Sequence, residues 1–168
     1  DNTGYMGGGI RLHGSNCTIT DCVISGNNSL GSSGENTWAG GGIFIHFSSP
    51  TISGCKINDN YAEGGKGQGG GIYCSAGNPM IETCEIKNNI AAYGGGISCA
   101  PLGGGPSNPT IIDCTIAENI SSLGGGVYGG SGTSIPVLQG TSVCSNIPSE
   151  VQILGDWTDN GSNTIAEV

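Results

Sequence analysis

The sequence predicts an all-β fold, a parallel β-helix of about five coils with three short strands in each. Three observations predict it. Triple glycine followed by Ile or Val recurs at Gly7–Ile10, Gly40–Ile43, Gly69–Ile72, Gly94–Ile97 and Gly124–Val127. A second motif follows each glycine run in strict register. Within both motifs apolar residues lie two apart, which is strand spacing, and helical spacing is absent.

The first strand of each coil starts where the glycines end, with Ile10, Ile43, Ile72, Ile97 and Val127 facing inward. The second is found by counting from Cys17, Pro50, Pro79, Pro109 and Pro136; two places on lie Ile19, Ile52, Ile81, Ile111 and Leu138. Five places on stand Cys22, Cys55, Cys84, Cys114 and Thr141, and seven places on, in the third strand, Ile24, Ile57, Ile86, Ile116 and Val143. Ten places on there is always Asn: Asn27, Asn60, Asn89, Asn119 and Asn146. No unit can bury its apolar face alone, so like strands must stack on like strands. At about 4.8 Å per strand, five coils make a rod roughly 20–25 Å long.

Residues 1–146 carry these repeats, and residues 147–168, with Trp157 and several Asp and Asn, read as a C-terminal cap. The first coil shows no comparable cap. That end is expected to meet upstream coils or to dock a further copy of the chain end to end, and a head-to-tail contact of that kind propagates into a fibre. The connections from the Asn column to the next glycines shorten along the chain, from 28–39 and 61–68 to 90–93 and 120–123. The Gly/Ser segments near Gly31 and Gly64 should therefore protrude.

Charge narrows the partners. Four Lys and Arg stand against 13 Asp and Glu, a net charge of −9. Such a chain repels phosphate backbones and anionic lipid headgroups, so neither nucleic acid nor a membrane surface is expected as a partner. No apolar run approaches the roughly 18 residues that membrane insertion requires. The 34 glycines lack the Gly-X-Y period of collagen. Because the chain begins with Asp1, a processed segment is expected, with any export signal upstream.

The paired Gly-Gly-Gly-Ile and Ile-x-x-Asn motifs (Ile57 to Asn60, Ile86 to Asn89) resemble the repeats of polymorphic outer-membrane proteins and autotransporter adhesins. More broadly they resemble the pectate-lyase-like β-helix superfamily, over about residues 5–146. The resemblance implies a right-handed coil, an extracellular or cell-surface location, and corner Asn side chains stacked as a ladder. Ile stands here where the adhesin repeats have Phe, and Gly where they have Ala.

Candidate site residues follow from the register. Cys22, Cys55, Cys84 and Cys114 form one inward column, and Cys74 and Cys99 another. Their Cβ vectors should run parallel, which suits buried thiols rather than disulfides. Asn16, Asn27, Asn119 and Asn160 head Asn-x-Ser/Thr sequons and are possible glycan acceptors. The outward position after the glycine-strand Ile reads Arg11, Phe44, Tyr73, Ser98 and Tyr128. An aromatic ladder facing solvent, with Arg11, Phe44, Tyr73 and Tyr128, could stack on sugars or on another protein. Ordinary strand propensity beneath covering loops is the plainer alternative. His13 and His46 share the next outward column without a third ligand, so no metal is expected, and no cofactor. Lys56 and Glu85 should pair across two coils for under about 1 kcal/mol.

Catalysis on this scaffold needs clustered carboxylates beside a cation. Asp21 and Asp113 share a column three coils apart, and Asp59 and Glu118 are separated by Asn88. The sequence therefore reads as a non-enzymatic structural or adhesive module. A carbohydrate-binding module is the alternative, and a polysaccharide lyase or hydrolase a more distant one.

Overall fold

A computed structural model describes residues 1–31, 39–64, 66–101, 105–130, 133–148 and 152–166. Three six-stranded, all-parallel sheets run along a solenoid. The glycine sheet stacks Ile10–His13, Ile43–His46, Ile72–Ser75, Ile97–Cys99, Val127–Tyr128 and Ile153–Leu154. The proline sheet stacks Thr18–Thr20, Thr51–Ser53, Met80–Glu82, Thr110–Ile112, Val137–Gln139 and Thr158–Asp159. The cysteine sheet stacks Val23–Ser25, Lys56–Asn58, Glu85–Lys87, Thr115–Ala117, Ser142–Cys144 and Thr164–Ala166. A short ribbon of Thr3–Gly4, Asn28–Ser29 and Tyr61–Ala62 closes the coil, continued by single bridges through Ile90, Ile120 and Ile147.

The register is the one the motif requires: Ile43 pairs with Ile10 and Ile72, Ile52 with Ile19 and Ile81, Ile57 with Ile24 and Ile86. Each inward aliphatic side chain lands on that of the next coil, and from the second coil through the fifth these side chains are fully buried. Such burial contributes about 1.5–3 kcal/mol per side chain.

Two corners turn the chain. Between the proline and cysteine sheets stand Asp21, Gly54, Thr83, Asp113 and Gly140, and before the Asn column stand Gly26, Asp59, Asn88, Glu118 and Ser145, all with φ between 50° and 65°. The glycine runs serve a different need. A Cβ on Gly70 would sit 2.6 Å from the backbone nitrogen of Ile90, because the run crosses directly under the Asn corner.

The cap expectation needs revision. Residues 153–166 add one further strand to each of the three sheets, so the segment is built as a sixth coil. It still covers the fifth, with Ile153, Trp157 and Ile165 packed against the core. Most of the 28–39 connection expected to protrude, residues 32–38, lies outside the described residues.

Candidate functional site

The Asn column forms a continuous internal ladder. The backbone N–H and Nδ2 of each Asn donate to the Oδ1 of its counterpart one coil on, at 2.9–3.1 Å from Asn27 through Asn60, Asn89 and Asn119 to Asn146. The second Nδ2 proton of Asn60, Asn89, Asn119 and Asn146 goes back to the carbonyl of Ile24, Ile57, Ile86 and Ile116. Two members were not anticipated. Asn2 donates to Asn27, and Gln152 accepts from Asn146 while its Nε2 turns back to the Asn146 carbonyl. Asn2 had a signal: it precedes Gly7 by the same spacing that separates Asn89 from Gly94 and Asn119 from Gly124. Gln152 had none, because its spacing from Asn146 breaks the repeat.

The cysteine column is a second ladder. The Sγ atoms of Cys55, Cys84 and Cys114 accept backbone N–H groups from the preceding coil at 3.4–3.5 Å, and Thr141 Oγ1 takes over the same task for Cys114. All eight cysteines are free thiols. Burial raises the Cys55 pKa; Cys74 and Cys114 are raised first by their hydrogen bonds to Cys99 and Cys84 and then by burial. Cys22 departs from the expected burial. It is exposed because it belongs to the first coil, with no column mate on its outer side.

The aromatic column is corrected by the structure. Phe44 is 1 % exposed and Tyr73 0 %, so neither ring faces solvent. They stack at 5.4 Å under Met6, Ala100 and Tyr128, and the Tyr73 hydroxyl donates to the Ala100 carbonyl. Ser98 is buried too and donates to Gln68 Oε1. The connections entering and leaving the glycine sheet lie over its outer face and make a second small core. Arg11 remains exposed at one end of this stack, 6.0 Å from the Phe44 ring centre.

What stays open is a cleft of about 260 Å³ at the other end, lined by Tyr93, Tyr128, Lys66, Gln68, Pro101 and Gly130 among others. Tyr93 and Tyr128 are half-buried with ring centres 5.3 Å apart, and Lys66 is exposed. Tyr93 is an unexpected member, placed by its bridges to Gln68 and Leu123.

A family model described as a right-handed beta helix region matches residues 2–146. The chain belongs to this right-handed β-helix family. No curated protein and no solved structure matches it.

Other candidates in this β-helix sort by geometry. Asn27 and Asn119 are buried with Nδ2 committed to the ladder, so neither is open to a glycan. Asn16 and Asn160 are exposed. His13 and His46 rings lie 5.3 Å apart, and the His46 pKa is lowered, first by burial, then by His13 and Arg11. Among the described residues no three His, Cys, Asp or Glu side chains come together to hold a metal ion. Lys56 faces Glu85 in register, yet the Glu85 carboxylate takes Lys87 at 3.6 Å, two residues on along its own strand. Side chains at that spacing share a face, so the pairing forms within the strand rather than across coils.

Proposed function

We propose that this β-helix is a non-catalytic structural or adhesive module of an extracellular or cell-surface protein, extended by further coils stacked on its first one. The observation that supports the reading is the face of the first coil. Cys22 is exposed, Ile10, Cys17 and Ile19 are only half-buried, and a cleft of about 410 Å³ opens beside Ile10, Ile24 and Asn27. The ladder is also directional, each coil donating to the Oδ1 of the next. Among the described residues nothing donates to the Oδ1 of Asn2, so a coil arriving there in register finds an acceptor in place. Upstream coils of the same polypeptide or a second copy could supply it. Electron microscopy of the protein from its native source tests the reading: rods or fibres longer than the roughly 25 Å of five or six coils support it. Isolated short particles at every concentration count against it.

The Tyr93–Tyr128 cleft favours a second reading, as a carbohydrate-binding module. Two tyrosine faces, Gln68 and a lysine are the groups that stack on and hydrogen-bond a sugar. Retention on immobilised glycans, lost in Tyr93→Ala and Tyr128→Ala, would support it; no retention of the wild type on any glycan would end it.

A further inference from the structure

The residue after each ladder Asn faces outward, and from the second coil onward this column is apolar: Tyr61, Ile90, Ile120 and Ile147, joined coil to coil as parallel bridges. They are 42, 40, 40 and 56 % exposed, and Leu123, 43 % exposed, lies beside Ile120 in the same coil. Single exposed apolar residues are ordinary; a tyrosine and three isoleucines in consecutive coils make a continuous stripe roughly 14 Å long. Nothing in the coil geometry asks for them, since the corner is held by the inward Asn.

Three carboxylates border the stripe, two of them on one side. On the corner side run Asp59, Asn88 and Glu118, all exposed, and on the other side Glu63, Ala92 and Ser122. Of the cations near it, Lys87 is engaged by Glu85 beyond the corner, and the exposed Lys66 stands on the far border, next to Gly67, whose carbonyl accepts the Ala92 N–H.

We propose that this stripe docks a protein segment that presents a row of aliphatic side chains bordered by lysine or arginine. Charge complementarity selects that occupant. A second copy would bring acid against acid, and one side chain's width falls far short of the roughly 1,200–2,000 Å² that a stable interface buries. An anionic lipid surface is repelled by the same borders. The contact is therefore modest in affinity and sensitive to salt. It is independent of stacking at the first coil, from which it is separated in the fold.

The test titrates the chain into a short fluorescent peptide of alternating Leu and Lys, with an alternating Leu and Glu peptide as control, at low and high salt. The Leu–Lys peptide should bind and the Leu–Glu peptide should not. Ile90→Ser with Ile120→Ser should weaken binding about tenfold, the loss expected of central apolar contacts. Asp59→Asn with Glu118→Gln should weaken it several-fold and flatten the salt dependence. All four positions are exposed, and unchanged melting confirms that the variants fold. Equal binding by the serine variant would show diffuse charge attraction and overturn the proposal. So would a wild-type dimer that the serine variant abolishes, because the occupant would then be a second copy.

Discussion

The glycine sheet and the cysteine sheet alternate inward and outward side chains in the same way, yet their outer faces end in opposite environments. On the cysteine sheet the outward Val23 and Lys56 are exposed and Glu85 and Thr115 half-buried. On the glycine sheet the outward Phe44, Tyr73 and Ser98 are sealed. Strand alternation decides which side of a sheet a residue takes. Whether that side meets water depends on where the connections run, and among the described residues they cover the glycine sheet and leave the cysteine sheet open.

The inner columns set the scale for testing this contrast. Asn89→Ala should cost about 4 kcal/mol by chemical denaturation, since it strands the Asn60 donors and the Ile57 carbonyl inside the rod at roughly 1–3 kcal/mol each. Tyr73→Ala should cost about 3–4 kcal/mol, a core value, although Tyr73 points away from the main core. Lys56→Ala, also outward, should stay within about 0.5 kcal/mol. Equal small losses for Tyr73 and Lys56 would mean that the cover over the glycine sheet is loose. Thiol labelling sharpens the contrast along the cysteine column: iodoacetamide should modify Cys22 well before Cys55, Cys84 or Cys114, and simultaneous labelling of all four would contradict the sealed ladder.

The smallest effect lies at the edge of the covered face. His46 titrates below its ordinary value near 6.5, chiefly because burial disfavours the imidazolium. The unfolded chain therefore binds more protons, and stability should fall slightly as pH drops from about 6.5 through the lowered folded-state value. His46→Gln should remove that slope, and an unchanged slope in the variant would assign it elsewhere.

Much of the scaffold was legible because each column is fixed by a single constraint that repeats. The Ile, Cys and Asn positions recur at constant offsets, and stacking leaves them one geometry. The sixth coil was not legible because its residues fit the columns only in part: Ile153 and Ile165 continue them, but Asp159 stands where Leu138 precedes it. The burial of Phe44 and Tyr73 was not legible either, since it depends on the paths of variable connections. The same holds for Tyr93, which reaches Tyr128 only through the course of the 90–93 segment. The apolar stripe is legible in the sequence itself, as the position after each ladder Asn from Tyr61 to Ile147.

The most direct test of a module that grows by stacking on its first coil is sedimentation velocity across a wide concentration range. The wild-type chain should associate as concentration rises, and Ile19→Lys, which places a charge on the half-buried inward column of the open face, should remain monomeric throughout. A wild-type chain that stays monomeric at every concentration would contradict association between copies and leave the open face to coils of the same polypeptide.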